Sequence, residues 1–327
     1  MRSIKIGRNE DGQRLDRVLA RLFPNAGKGF LFKMLRKKNI TLNGKKAEGT
    51  ERLSNGDEIK VFFSEETFLK LSEGENNLDE KKETEGAVEA FKSMIVYEDE
   101  DVIILNKPKG LLSQKAEAND YSLNEMLIDY MLSGNKISQE GLKTFRPSMC
   151  NRLDRNTEGL ICGGKTLKGL RELSEMFRER KLSKYYLCIV KGILDRERLI
   201  QGFLVKDEKT NKVTVTNDPY MRNNEDSAKI ATKYKPLKTA DDCTLLEVEL
   251  ITGKSHQIRA HLASIGHPIA GDMKYGDVMF NRHVRDRYKV KSQLLIAYRL
   301  VFPLDCGELK ALSGREFVLE KPVGFFI

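Results

Sequence analysis

The chain has 327 residues, 40% of them hydrophobic, and carries 57 Lys and Arg against 48 Asp and Glu for a net charge of +9. That length can bury at least one full core, no apolar run reaches the roughly 20 residues of a membrane helix, and the opening Met1-Arg2-Ser3-Ile4-Lys5 lacks the apolar core of a signal peptide. Cys150, Cys162, Cys188, Cys243 and Cys306 are scattered and never form a C-x-x-C pair, which predicts buried thiols in a reducing cytoplasm and excludes a disulfide framework or a zinc-ribbon site.

Charge divides the chain. Residues 1–70 hold 16 basic against 9 acidic side chains, residues 71–90 hold 2 against 7, and the other 237 hold 39 against 32. Two basic blocks around an acidic stretch predict two modules facing a polyanion, with boundaries at 1–71, 72–90 and 91–327. In the first, Leu15, Val18, Leu19 and Leu22 follow helical spacing up to Pro24. A second helix begins near Gly29, with Phe30, Leu31, Met34 and Leu35 on one side and Lys33, Arg36, Lys37 and Lys38 on the exposed side. Asn43-Gly44 and Asn55-Gly56 then mark turns between short strands. Residues 72–90 have little hydrophobic content and are expected to form a flexible acidic linker.

From Phe91 onward strands alternate with helices. Val102 to Leu105 is a buried strand, a helix runs from Leu123 to Met131, and another follows from Leu167 to Arg180. Lys184 to Gly192 and Leu245 to Leu250 are strands, and residues 203–217 form a hairpin with Lys209 to Lys212 at its tip. Between the first of these helices and the next lies Met149-Cys150-Asn151-Arg152-Leu153-Asp154-Arg155-Asn156-Thr157-Glu158-Gly159-Leu160. It sets one carboxylate between two arginines, in a polar turn that leads into a buried strand. Adjacent cations would keep Asp154 ionised, and an ionised carboxylate at the mouth of a sheet can act as nucleophile or base; a structural Arg-Asp-Arg ion pair is the plainer alternative. Further on, Gly253 permits a turn, Ser255 can cap a helix, and Arg259 falls in its first turns, where it can pair with a carboxylate. His256 and His261 are five residues apart, with no Glu placed as in H-E-x-x-H, so metal binding is not expected.

Arg152-Leu153-Asp154-Arg155, Lys184-x-Tyr186, Gly253-x-x-His256-Gln257-Ile258-Arg259-x-His261-Leu262 and Gly266-His267-Pro268-Ile269-x-Gly271-Asp272-x-x-Tyr275-Gly276 occur in this order. Together they resemble the motifs of RluA-type RNA pseudouridine synthases, over nearly all of residues 91–327. Arg14-Leu15-Asp16, the basic helix and Leu42-Asn43-Gly44-Lys45 resemble the S4 RNA-binding module over residues 13–63. The resemblance implies an α+β protein: a small S4-like α/β module followed by a mixed, mainly antiparallel-sheet catalytic domain of RluC/RluD-like architecture. It implies that Asp154 is the catalytic aspartate, that Tyr186 stacks on the uracil and assists loss of the C5 proton, and that Arg259 salt-bridges Asp154. Arg152 would hold open the space left by a flipped nucleotide, Leu295 would pack against the uracil, and Lys33, Arg36 and Lys37 would hold RNA. Asn151 stands where His is common, Lys254-Ser255 replaces Arg-Thr, and Ile296 replaces a frequent His. These departures bear on sub-branch and substrate.

The chemistry suits the residues. Converting uridine to pseudouridine breaks C1′–N1, turns the uracil and forms C1′–C5, with no net redox change and no transferred group, so no cofactor and no metal are expected. The expected partner is RNA, 23S ribosomal RNA in the first place and transfer RNA as an alternative, met by a cytoplasmic monomer without a membrane partner. Two other classes stand against this reading. One is a catalytically silent ribosome assembly factor, and the other is a metal hydrolase using His256, His261 and Asp272.

Overall fold

In a computed structural model of the protein, residues 1–72, 85–207, 212–218, 220 and 227–320 are described. They divide into two compact units. One joins Met1–Lys92 with Met126–Pro147 and Thr166–Lys168, and the other joins Ser93–Glu125, Ser148–Lys165 and the chain from Gly169 onward.

The first unit begins with β1 (Arg2–Lys5), α1 (Leu15–Leu22), α2 (Lys28–Arg36), β2 (Ile40–Leu42), β3 (Lys45–Lys46) and β4 (Glu58–Val61), followed by α3 (Glu65–Ser72) and α4 (Glu85–Lys92). Leu15, Val18, Leu19 and Leu22 of α1 are buried, as their spacing requires, and meet Leu31, Met34 and Leu35 of α2 in one core. Phe30 departs from expectation. It is 37% exposed, because the buried stripe of α2 runs through Leu31, Met34 and Leu35, one residue further round. The strands form an antiparallel sheet in the order β1-β4-β2-β3. Asn43 and Gly44 both take positive φ, 51° and 73°, the geometry that a two-residue hairpin with the right twist demands. Of the acidic linker expected over 72–90, residues 73–84 lie outside the described residues, Ser72 ends α3, and 85–90 belong to α4, where Phe91 is buried.

The same unit takes in most of α5 (Leu123–Ser133) and all of α6 (Gln139–Thr144), although residues 126–147 read in sequence as part of 91–327. The ties are specific. Thr144 Oγ1 donates to Glu10, Arg21 Nη1 donates to the Thr144 carbonyl at 2.8 Å, and the Phe91 and Tyr130 rings lie 5.0 Å apart.

The second unit is built on an 11-stranded sheet. Its strands are β5 (Ile95–Glu98), β6 (Val102–Lys107), β7 (Ser148–Met149), β8 (Glu158–Gly164), β9 (Ser183–Lys191), β10 (Arg198–Asp207), β11 (Lys212–Thr216), β12 (Ser227–Ala240), β13 (Cys243–Leu250), β14 (Leu295–Val301) and β15 (Glu316–Val318), with helices α7 (Leu167–Arg178), α8 (Gln257–Ser264) and α9 (Val278–Tyr288). The order is β11-β10-β12-β13-β9-β14-β8-β6-β5, with β15 on β14 and β7 on β8. Among the described residues only the β14–β8 pair is parallel. The hairpin expected at 203–217 is present as β10 and β11, and its tip, 208–211, lies outside the described residues.

Alternation along β9 places the site. Leu187 and Ile189 join Phe280 and Val284 of α9 in one core, so Lys184 and Tyr186 face the other way. Tyr186 is paired with Ala297 of β14, and Ala297 with Gly159 of β8. Three adjacent strands thus bring Tyr186 and the turn carrying Asp154 to one place. The close approach depends on Gly159, whose φ is +123° and where a Cβ would lie 2.2 Å from the Ala297 carbonyl oxygen. Strain and collision act together there, so Gly159→Ala is expected to cost more than about 2 kcal/mol in chemical denaturation; a loss below about 0.5 kcal/mol would contradict this packing.

Candidate active site

Asp154 sits in a turn fixed from several sides. Ser113 Oγ donates to the Leu153 carbonyl at 2.9 Å and accepts from the Leu153 N–H at 3.1 Å, and the Thr157 N–H donates to the Asp154 carbonyl at 2.9 Å. Asn151 Oδ1 accepts from the Cys162 N–H at 2.8 Å, tying the turn to β8. Beneath it Lys107 is fully buried, its Nζ donating to the carbonyls of Pro108, Leu111 and Arg155 at 2.9, 2.9 and 3.2 Å. Burial pulls its pKa down to about 8 against the pull of Asp154 and Glu158, and three carbonyl acceptors match the three hydrogens of an ammonium.

The cation on Asp154 comes from far along the chain. Arg259 Nη1 donates to Asp154 Oδ2 at 2.7 Å, while its Nε and Nη2 donate to Asp272 Oδ2 and Oδ1 at 2.7 and 2.9 Å. The flanking arginines are not the partners that their position suggests. Arg155 Nε donates to the Gly110 carbonyl at 3.2 Å, and Arg152 is exposed at the cleft, because neighbouring residues in a turn point in different directions. Burial alone would lower the pKa of Arg259, but the pairs with Asp272 and then Asp154 outweigh it and raise it. Burial alone would raise that of Asp272, but Arg259 and the N–H groups of Tyr275 and Lys274 hold it down. This is a buried carboxylate–guanidinium–carboxylate row with one outer end, Asp154, open to the cleft.

Local sequence sets Arg259 in place. Gln257 satisfies all of its amide: Oε1 accepts from Thr252 Oγ1 and the Lys254 N–H at 2.9 and 3.1 Å, and Nε2 donates to the Ala231 carbonyl and Thr232 Oγ1 at 3.1 and 3.0 Å. That locks the loop before α8 onto β12. Ser255 does not cap the helix. The N-cap position belongs to His256, in a left-handed conformation and without a side-chain capping bond.

The cleft these residues line has a volume of about 690 Å³ and includes Asp154, Tyr186, Arg259, Arg152, Leu295 and His256. Asp154, Tyr186, Arg259, Arg152 and Leu295, to which the resemblance gives roles, therefore meet in one place. Lys33, Arg36 and Lys37 do not line it and are exposed on α2 and its C-cap in the first unit. Arg152, Arg155, Arg178, Arg180, Lys184 and Lys254 give the cleft a cationic border suited to phosphates. Burial, then the charge of Asp154, raises the pKa of Tyr186, so its phenol is neutral at physiological pH. Asp272, first weighed as a metal ligand, instead orients Arg259. Its distance from Asp154 in the chain gave no pairwise signal. Among the described residues no three His, Cys, Asp or Glu side chains are grouped to hold a metal, and no helix is long and apolar enough to cross a membrane.

Residues 101–264 match the RNA pseudouridylate synthase family. The chain belongs to this family. It is similar to the uncharacterized RNA pseudouridine synthase of Mycoplasma genitalium, 31% identical over 91% of this chain and 88% of that one. It is also similar to ribosomal large subunit pseudouridine synthase C of Vibrio cholerae, 28% identical over 94% of this chain and 90% of that one. Among solved structures, human RNA pseudouridylate synthase domain containing 4 shares the fold with a TM-score of 0.57 at 22% identity, over 74% of this chain and 94% of that one. The protein is accordingly an RNA pseudouridine synthase, an isomerase.

In this synthase His261 is buried, with Nδ1 2.9 Å from Thr232 Oγ1, and burial lowers its pKa to about 4. Between about pH 4 and the unfolded value near 6.5 the unfolded chain binds the extra proton, so stability must fall as the pH drops through that window. Acid denaturation of His261→Asn is expected to lack this component, and an unchanged pH profile would refute the assignment.

Proposed function

We propose that the synthase isomerises specific uridines of large-subunit (23S) ribosomal RNA, with Asp154 as the reacting carboxylate. What carries this reading is the placement of Asp154, held by Arg259 at the edge of a cleft that Tyr186 and Leu295 also line. The uridine leaves its stack and enters between Tyr186 and Leu295, a step that costs a few kcal/mol and is least costly in loops. Arg152 fills the place the nucleotide vacates, and the cationic border holds the backbone. Asp154, as nucleophile at C1′ or as base at C2′, breaks the C1′–N1 bond. The uracil turns, C1′–C5 forms as the Asp154–C1′ bond breaks or the proton returns to C2′, N1 gains a proton, and Tyr186 assists removal of the proton from C5. Nothing in this sequence is oxidised or reduced, so no cofactor takes part.

The choice of large-subunit RNA is supported by relatives named for that substrate, ribosomal large subunit pseudouridine synthase C of Vibrio cholerae and of Escherichia coli. The small sheet with α1 and α2 is the S4-like RNA-binding module of this reading, and Lys33, Arg36 and Lys37 are its phosphate contacts. The enzyme acts as a cytoplasmic monomer, where ribosomes are assembled.

Pseudouridine mapping of RNA from cells lacking the gene tests the proposal. Loss at one or more 23S positions, restored by the wild-type gene but not by Asp154→Asn, is expected. Intact 23S sites with a lost transfer RNA site would overturn the substrate, and restoration by Asp154→Asn would overturn the mechanism. For the basic helix, replacing Lys33, Arg36 and Lys37 together by Gln should weaken RNA binding and reduce the slope of log affinity against log salt by about 2. An unchanged slope would remove α2 from the interface.

A further inference from the structure

Tyr275 connects β11 to the catalytic carboxylate through His256. Its hydroxyl accepts from the Val213 N–H at 3.0 Å and lies 2.9 Å from His256 Nδ1. With the Val213 amide donating to it, the phenolic oxygen keeps its own proton to give to the imidazole. Where Nδ1 accepts that proton, the neutral ring carries its own on Nε2. That nitrogen faces Asp154, 3.9 Å from Oδ2, about 1 Å beyond a hydrogen bond.

The groups around the ring are Asp154, Arg259, Lys274, Asp272 and Tyr275, the last edge-on with ring centroids 5.6 Å apart. Burial lowers the pKa of His256 against the opposing charge of Asp154, so the contact is that of a neutral donor and not of an ion pair. Asp154 Oδ2 already accepts from Arg259, while among the described residues Oδ1 accepts no hydrogen bond. Arg259 thus bonds to the same oxygen that His256 Nε2 lies nearest without reaching it.

We propose that His256 is a positioning residue: held in its Nε2–H tautomer by Tyr275, it donates to Asp154 Oδ2 alongside Arg259 when RNA fills the cleft, and so presents Oδ1 as the oxygen that meets the nucleotide. The proposal rests on Asp154 being the reacting carboxylate. His256 has φ 56° and ψ 12°, a backbone state that Asn tolerates well. In His256→Asn the shorter side chain still meets Tyr275 but falls short of Asp154, whereas in His256→Gln the amide nitrogen reaches the position of Nε2.

The test joins single-turnover kinetics to ¹⁵N NMR of the histidine rings, of which the chain has 4. His256→Asn, folded and with RNA affinity unchanged, is expected to slow isomerisation about 10- to 100-fold, the loss of one hydrogen bond to a charged group. His256→Gln should recover most of the rate. The His256 signals, identified by their absence in His256→Asn, should show an unprotonated Nδ1 and a protonated Nε2, and Tyr275→Phe should mix the tautomers. Wild-type turnover by His256→Asn, or an Nδ1–H tautomer, would overturn the proposal. Asp154→Asn run in parallel separates the two readings: if it is inactive while His256→Asn is fully active, only the role of His256 fails, and if it isomerises uridine, the reading of Asp154 fails with it.

Discussion

Arg259 is a cation buried between two carboxylates, and the geometry of the site depends on it. Each bond it makes restricts the others. The fork of Nε and Nη2 on Asp272 fixes the plane of the guanidinium, and that plane directs Nη1 at Asp154. Burying such a group is costly, and breaking one of its pairs leaves an unpaired buried charge, a loss of about 3–5 kcal/mol. The arrangement holds because Asp272 is satisfied a second time by the N–H groups of Lys274 and Tyr275. Lysine could not replace the arginine, since a point charge cannot orient itself on two carboxylates at once.

The sheet serves this one contact. Asp154, Tyr186 and Arg259 come from a turn, a strand and a helix that are distant in the chain. Gly159 lets β14 run against β8, β14 pairs with β9, and Gln257 pins the start of α8 to β12. The core formed with α9 buries Leu187 and Ile189, and it is that burial which turns Lys184 and Tyr186 toward the cleft. A fold with so many non-local strand pairs is slow to assemble, yet it holds the Asp154 carboxylate in place at the cleft.

Local pattern made some of this readable in the sequence. The apolar stripe of α1, the Asn43-Gly44 turn, the buried strand after Asp154 and the strand through Tyr186 all follow from periodicity of 3.6 or 2. Position beside Asp154 misled where pairing was concerned, because Arg152 and Arg155 are neighbours in sequence and Arg259 is the neighbour in space. Asp272, Tyr275 and His256 stand in motifs that carry the family resemblance, but the pairs Asp272–Arg259, Val213–Tyr275 and Lys107–Arg155 were not legible, since each joins separate segments of the chain. The grouping of residues 126–147 with the first unit escaped for the same reason, as Thr144, Glu10 and Arg21 have no local signature of their contact.

The proposed mechanism requires Asp272 to orient Arg259 so that Asp154 is held for reaction. A double-variant cycle measures this directly: single-turnover isomerisation by Asp272→Asn, Arg259→Lys and the two combined, each scaled to folded enzyme. Residues acting as one unit give losses that do not multiply, so the double variant is predicted to be about as slow as the slower single one, with a coupling of more than about 1 kcal/mol. Wild-type turnover by Asp272→Asn, or losses that simply multiply, would contradict the account.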